Sequence, residues 1–228
     1  NVVLSIESSN TNEATVDLDA ITFTPANWDT PQTITTTGID DAGTIDGSQI
    51  SNITVAIVDA ASDDNFDSAA NQTVNVTTTD DDIPGFTIVE SDGSTEVDES
   101  GTTDTFTIVL DAQPTSNVVL TITSDDTGET TVPASATFTS ANWNTPQTIT
   151  ATGINDGTLI DGNQDTNVIV SVDDANSDNG FDSLEDQIVV VTTTDDDIPE
   201  FTVTETNGST AVAESGSTDT FTVVLDAQ

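Results

Sequence analysis

Nearly the whole chain occurs twice. NVVLSI at Asn1 returns as NVVLTI at Asn117, an offset of 116, and ANWDTPQTITTTGI around Trp28 returns as ANWNTPQTITATGI around Trp143, an offset of 115. One residue is therefore lost between those two points. The later register continues through TTTDDDIP (Asp80 and Asp195) and TDTFT (Phe106 and Phe221) to DAQ (Gln113 and Gln228). An internal repeat outranks every local signal, because each copy must adopt the same fold. A repeat of about 115 residues is the size of a whole domain.

The natural boundary is DDDIP, where an acidic run and a proline separate two strand-like stretches. Pro84 and Pro199 have no N–H for a central ladder, so they suit a linker. This predicts a partial repeat over 1–82 lacking its first strands, a complete repeat over 83–197, and the first strands of another over 198–228. The fragments are complementary: 83–113 is what 1–82 lacks, and 198–228 is its counterpart one repeat later. The simplest expectation is a two-repeat piece of a longer polymer, with a tripeptide like Pro114-Thr115-Ser116 missing at the joint. The alternative is a subunit that donates Phe201 to Gln228 as strands to its neighbour.

Within 83–197, seven strands are expected: 85–90 continuing into 95–99, then 103–111, 117–124, 131–139, 147–153, 167–173 and 186–194. In runs such as FTIV, FTVVL and VVLTIT, β-branched and aromatic residues alternate with Thr, as a half-buried strand requires. Nothing has helical period. Seven short strands separated by acidic turns predict an all-β fold of tandem seven-stranded antiparallel β-sandwiches in an extended array. Trp28 and Trp143 are expected to anchor an edge of each core.

Charge sets the next constraint. The chain holds 42 Asp and Glu and no Lys, Arg or His, for a formal charge of −42. Two unit charges about 4 Å apart repel by roughly 1 kcal/mol in water and about 4 kcal/mol at an effective dielectric near 20. Acid clusters at loop ends therefore call for imported cations or high salt. Nucleic acid and anionic membrane surfaces are poor partners, since binding them relies on Lys and Arg. No apolar run reaches the roughly 18 residues of a membrane span, and any export signal is expected outside this sequence. Cys is absent, which removes disulfides and thiolate metal sites.

The V-x-E-S-G-x-T-D-T-F-T stretch (Val97, Glu99, Phe106; again Val212, Glu214, Phe221), the TGI-N/D-D turn and the closing DDD resemble the Calx-β domain. The resemblance is to the Calx-β-like, Ig-like repeats of giant bacterial cell-surface adhesins, including those of biofilm-forming bacteria, and it covers the whole chain. It implies calcium held at one end of each sandwich by an early Glu, by acids after the fifth strand and by the terminal acidic run. Carried over by position, the complete repeat would use Glu99, Asp156, Asp161, Asp195, Asp196 and Asp197. The first would use Asp41, Asp46, Asp80, Asp81 and Asp82, its Glu coming from a preceding repeat, and Glu214 would open the next site. The acid that the family places before the fourth strand has no evident counterpart beside Thr131 and Val132, which predicts one or two ions instead of a full cluster.

Calcium wants six to eight oxygens at about 2.3–2.6 Å, and consecutive Asp residues supply both side-chain and main-chain oxygens. A weaker candidate is DANSDNGFD, with donors at Asp174, Asn176, Asp178 and Asp182; Gly180 falls one place late for an EF-hand loop and no closing Glu follows, so a solvated hairpin loop is expected. Catalysis is not expected, since His, Cys, Lys and Tyr are all absent. The expected function is a calcium-rigidified stalk or fibre in an extracellular, cell-surface protein. Its partners would be neighbouring repeats, or identical subunits end to end, with any surface or glycan ligand bound outside this piece. The alternatives are a filament or sheath subunit joined by strand exchange and, more weakly, a calcium-dependent glycan-binding module using Trp28 or Trp143.

Overall fold

The computed structural model describes residues 1–41 and 43–228. The chain is all-β apart from short 3-10 turns, and it divides into two compact units: 1–84 with 112–115, and 85–111 with 116–228. The strands of the first unit are β1 (Val2–Ser8), β2 (Ala14–Val16), β3 (Ala20–Phe23), β4 (Thr36–Gly38), β5 (Thr44–Ile45), β6 (Gln49–Ile57) and β7 (Gln72–Thr78). Those of the second are β8 (Phe86–Glu90), β9 (Thr95–Asp98), β10 (Thr103–Leu110), then, past β11 (Gln113–Pro114) of the first unit, β12 (Val118–Ser124), β13 (Thr130–Thr131), β14 (Ser135–Phe138), β15 (Gln147–Gly153), β16 (Gln164–Val172), β17 (Gln187–Thr194), β18 (Phe201–Glu205) and β19 (Phe221–Leu225).

In the second unit two sheets make a sandwich, ordered β13-β15-β10-β8 and β14-β12-β16-β17-β9. Alternation builds its core: Phe106, Ile108 and Leu110 on β10, Val118, Leu120 and Ile122 on β12, and Val168 and Val170 on β16 are buried, while Thr107, Val109, Val119, Thr121 and Ile169 between them are half-buried on the opposite faces. Each such side chain contributes roughly 1.5–3 kcal/mol by leaving water.

Two of the seven expected strands cross between the sheets. The stretch expected as one strand over 131–139 is two, β13 on one sheet and β14 on the other, parted at Val132, Pro133 and Ala134. The first repeat breaks at the same place with Asp17 where Pro133 stands, so the crossing itself, and not proline, is the cause. The first strand likewise turns at Ser91–Gly93, where Asp92 adopts φ 55°, and re-emerges as β9 on the opposite sheet. There β9 runs parallel to β17 (Val191 opposite Thr95), so the sandwich is antiparallel except at that edge.

The first unit carries one sheet ordered β3-β1-β6-β7, a short β2-β4 ladder and a parallel β5-β11 pair. Among the described residues, none of this unit occupies the positions that β8, β9 and β10 hold in the second. The hairpin β18-β19 is the sequence counterpart of β8 and β10, and every residue of both its strands is exposed.

Candidate metal centre

At one end of the second unit's sandwich, Glu99 follows β9 and is 1 % exposed, so a carboxylate has been folded into the interior. Among the described residues, neither of its oxygens finds a hydrogen-bond partner, and the same holds for Glu129 Oε2, Asp156 Oδ1 and Asp197 Oδ2. These acids converge: Glu99, Asp156 and Asp197 bring one oxygen each within 4.8 Å of one another, and so do Glu129, Asp156 and Asp161. Asp156 belongs to both groups, which links five carboxylates through one residue. No positive side chain exists to answer them. Burial first, and then the charges of Asp156, Asp195, Glu129 and Asp161, push the Glu99 carboxyl from 4.5 up to about 7. Burial and neighbouring acids also raise Glu129 and Asp197.

The backbone sets this arrangement. Glu129 is held by the start of the β13-β15 ladder, where Ile154 N–H donates to its carbonyl at 2.8 Å. Asp195 is a brace: its Oδ2 accepts from Gly162 N–H at 2.9 Å and its Oδ1 from Asp197 N–H at 2.8 Å. Those donors hold its carboxyl below the usual range while they fix the Asp161 loop beside the end of β17. Asp196, between Asp195 and Asp197, is exposed and joins neither group, because alternate residues of an extended run face opposite ways.

The first unit repeats part of this geometry. Glu13, Asp41 and Asp46 bring oxygens within 4.8 Å, and Asp80 braces them by accepting from Asp46 N–H at 3.1 Å, Gly47 N–H at 2.7 Å and Asp82 N–H at 2.9 Å. Desolvation and the neighbouring acids raise Glu13, Asp41 and Asp82 above the ordinary range. Asp81, the counterpart of Asp196, is exposed and outside the group, and Asp82 is not within it. Glu214 lies exposed and joins no acid group among the described residues, because nothing in 198–228 supplies counterparts of Asp156 and Asp197.

Sequence reasoning missed Glu129 and Glu13, the acids that precede the crossing strand. The signal was present: 13 and 129 differ by 116, the offset that holds before the lost residue. Sought beside Thr131, the acid stands instead just before Thr130, where the ladder begins.

The loop at 174–182 forms no acid group among the described residues. Asp178 is buried and accepts from Ser116 N–H at 2.7 Å and Gly180 N–H at 3.0 Å, so it ties the loop to the start of β12 above the fully buried Phe181. Trp143 is half-buried and its carbonyl accepts from Leu110 N–H at 3.0 Å, whereas Trp28 is 71 % exposed beside an apolar cleft of about 380 Å³ lined by Val2, Leu4, Phe23 and Phe66.

Oxygens within 4.8 Å of one another can share one calcium, since twice a Ca–O distance is about 5 Å. Buried, partnerless carboxylate oxygens are otherwise costly to keep. The donor set is all oxygen, which suits a hard cation and excludes the thiolate and imidazole chemistry of zinc or copper.

No protein-family model matches the chain, and no curated protein matches it. Among solved structures it is similar to domains 4 and 5 of the surface-layer protein SbsC, at 18 % identity and TM-score 0.34, over 84 % of this chain and 70 % of that one. It is also similar to domains 1–6 of the same protein, at 15 % identity and TM-score 0.37, over 98 % of this chain and 28 % of that one. Cadherin-like domains 1 to 4 of zebrafish RET give 12 % identity and TM-score 0.36, over 86 % of this chain and 42 % of that one.

Proposed function

We propose that this chain is a non-catalytic, structural stretch of an extracellular surface protein, in which calcium bound at the acid cluster of each repeat stiffens a stalk or fibre. One observation carries the reading: five linked carboxylates, four of them with buried oxygens that find no partner among the described residues, in a chain without a single Lys, Arg or His. Glu99, Glu129, Asp156, Asp161 and Asp197 would hold the ion, and Asp195 would position them. Asp195–Asp197 run directly into Pro199 and β18, so an ion there restrains the connection between β17 and β18. In the first unit the ligands would be Glu13, Asp41 and Asp46, with Asp80 as the brace. No helix among the described residues is long and apolar enough to cross a membrane, and the reading requires none.

The test is thermal melting of the whole chain in calcium and in chelator at matched ionic strength. Calcium at about a hundred times its Kd stabilises by roughly 2.7 kcal/mol, a rise in Tm on the order of 10 °C for a domain of this size. An unchanged Tm removes calcium from the reading. A second reading, a filament subunit joined by strand exchange, is favoured by the bare hairpin at 201–225.

A further inference from the structure

We infer, resting on the calcium reading above, that each acid loop is shaped for its ion by a glutamine from the following repeat. Gln113 positions the loop between Asp41 and Asp46, and Gln228 positions the loop between Asp156 and Asp161. An ion site is then complete only when the next repeat's first strands are in place, and the bound ion in turn ties that stretch of chain to the loop.

The first unit shows the pairing inside the chain. Asp41 and Asp46 bring oxygens within 4.8 Å of each other and of Glu13, so the stretch between them must hold a defined shape. Its strand, β5, has one ladder partner among the described residues, the parallel β11, with Gln113 opposite Thr44 and Pro114 opposite Ile45. Gln113 N–H donates to the Gly43 carbonyl at 2.6 Å. The Thr44 hydroxyl has the Asp41 carbonyl at 3.2 Å and Gln113 Oε1 at 3.3 Å as acceptors. Alternate residues of a parallel strand turn opposite ways, so Gln113 presents its N–H to β5 while Pro114, which has none, turns its nitrogen away. Ala112, Pro114 and Ile45 are buried. Asp80 holds the loop's other flank through the Asp46 and Gly47 N–H groups.

Residues 112–115 belong to the first unit, although their chain neighbours on both sides belong to the second. Those neighbours are anchored in their own unit: Asp111 N–H donates to the Gly85 carbonyl at 2.9 Å, and Ser116 N–H to the buried Asp178 at 2.7 Å. The connection from β10 to β12 is therefore pinned at both ends while its middle completes β5.

The pairing recurs one repeat later with different side chains. Gln228 N–H donates to the Thr158 carbonyl at 2.7 Å and Ile160 N–H to the Gln228 carbonyl at 3.0 Å, where Thr158 and Leu159 stand for Gly43 and Thr44. The backbone pairing, and not the Thr44 hydroxyl, is thus the common element. This loop carries Asp156 and Asp161, which belong to the cluster that holds the buried Glu99, and Asp195 braces its far flank through Gly162 N–H. Calcium affinity follows a site's rigidity as well as its charge, and a loop ordered beforehand need not be ordered on binding. The coupling is reciprocal, so calcium must tighten the pairing by the factor that the pairing adds to calcium affinity.

The test is calcium titration of the 228-residue chain, followed by NMR at the amides of the two loops, with amide exchange measured in calcium and in chelator. Gln113→Pro removes the N–H that meets Gly43; it should weaken calcium at the Asp41–Asp46 loop at least about fivefold and leave the Asp156–Asp161 loop within about twofold. Gln228→Pro should do the reverse. Gln113→Ala restores the N–H and should recover the affinity to within about threefold. In the unaltered chain calcium should slow exchange at Gln113 and Gln228 at least about fivefold, and at Ser116, whose acceptor is Asp178, by less than about twofold. Affinity at a loop that survives proline at its own glutamine overturns the inference and leaves the calcium reading standing. Equal loss at both loops from either variant overturns it too, since that is general unfolding, and so does exchange at Gln113 and Gln228 that ignores calcium. An unaltered chain in which calcium moves neither loop overturns the calcium reading and the inference with it. If one loop alone binds calcium, the variant at its own glutamine decides.

Discussion

The stretch ANW-x-TPQTIT-x-TGI is the same sequence, apart from two residues, in both units, and it takes two different structures. In the second unit it forms the seven-residue β15; in the first only Thr36–Gly38 remain a strand. The difference is the partner. β15 is paired along Thr103–Ile108 by β10, and no described residue of the first unit stands there. The tryptophan follows suit, half-buried at 143 and bare at 28. Strand formation here is thus a property of the pair, as the context dependence of β-propensity implies.

The largest break in the comparison comes from one phenylalanine at two addresses. Phe106→Ala should cost about 3–5 kcal/mol, the usual range for a fully buried Phe, whereas Phe221→Ala should stay within about 0.5 kcal/mol in the unassembled chain. Denaturant titration reads both, and equal costs would mean that the hairpin is not bare. Glycine gives the next effect. Gly153→Ala sets a Cβ 2.1 Å from the Asp98 carbonyl oxygen, so β9 must shift, at roughly 2–3 kcal/mol. Gly38→Ala meets only ordinary contact at 3.5 Å and should change stability by less than about 0.5 kcal/mol.

The acid clusters supply the third. Glu129→Gln should weaken calcium binding to the second unit about tenfold, or about 1.4 kcal/mol, by calorimetric titration. Asp196→Asn, whose carboxylate joins neither group, should leave the affinity within about twofold, well under 1 kcal/mol. If the two variants match, the acids act as diffuse charge and not as ligands.

These contrasts also show what was legible beforehand. Alternation and turn chemistry placed the strands to within a few residues, because each is a local consequence of sequence. The two crossings were not legible, since a chain passing from one sheet to the other keeps its alternation: Thr131 and Ala136 look like one strand until their partners are known. In the candidate site, Glu99, Asp156, Asp161 and Asp197 were reachable by position, but Asp195 and Asp196 look identical in sequence. Only backbone donors from the Gly162 loop separate a brace from an exposed neighbour. Glu129 was hidden by reading the strand start from Thr131 when the ladder begins at Thr130.

The smallest effect is a slope with pH, and it too divides the units. The Glu99 carboxyl rises from 4.5 to about 7 on folding, so between those values the folded state holds a proton that the unfolded state has released. Stability from this group is therefore full below about pH 4.5 and is lost as pH climbs through about 7, by at most ~1.4 kcal/mol per unit for one proton. Glu129 and Asp197 shift in the same direction and steepen the fall, while Asp195 shifts the other way and adds stability that disappears only on acidification. In chelator the second unit should thus melt at lower temperature as the buffer goes from pH 5 to 7.5. The first unit, where no Glu99 counterpart is folded in, should change less. Glu99→Gln should flatten the second unit's slope toward the first's. Saturating calcium should reverse its sign, because only deprotonated carboxylates bind the ion. A slope that survives Glu99→Gln would place the buried proton elsewhere in the cluster, with Glu129 the next group to substitute.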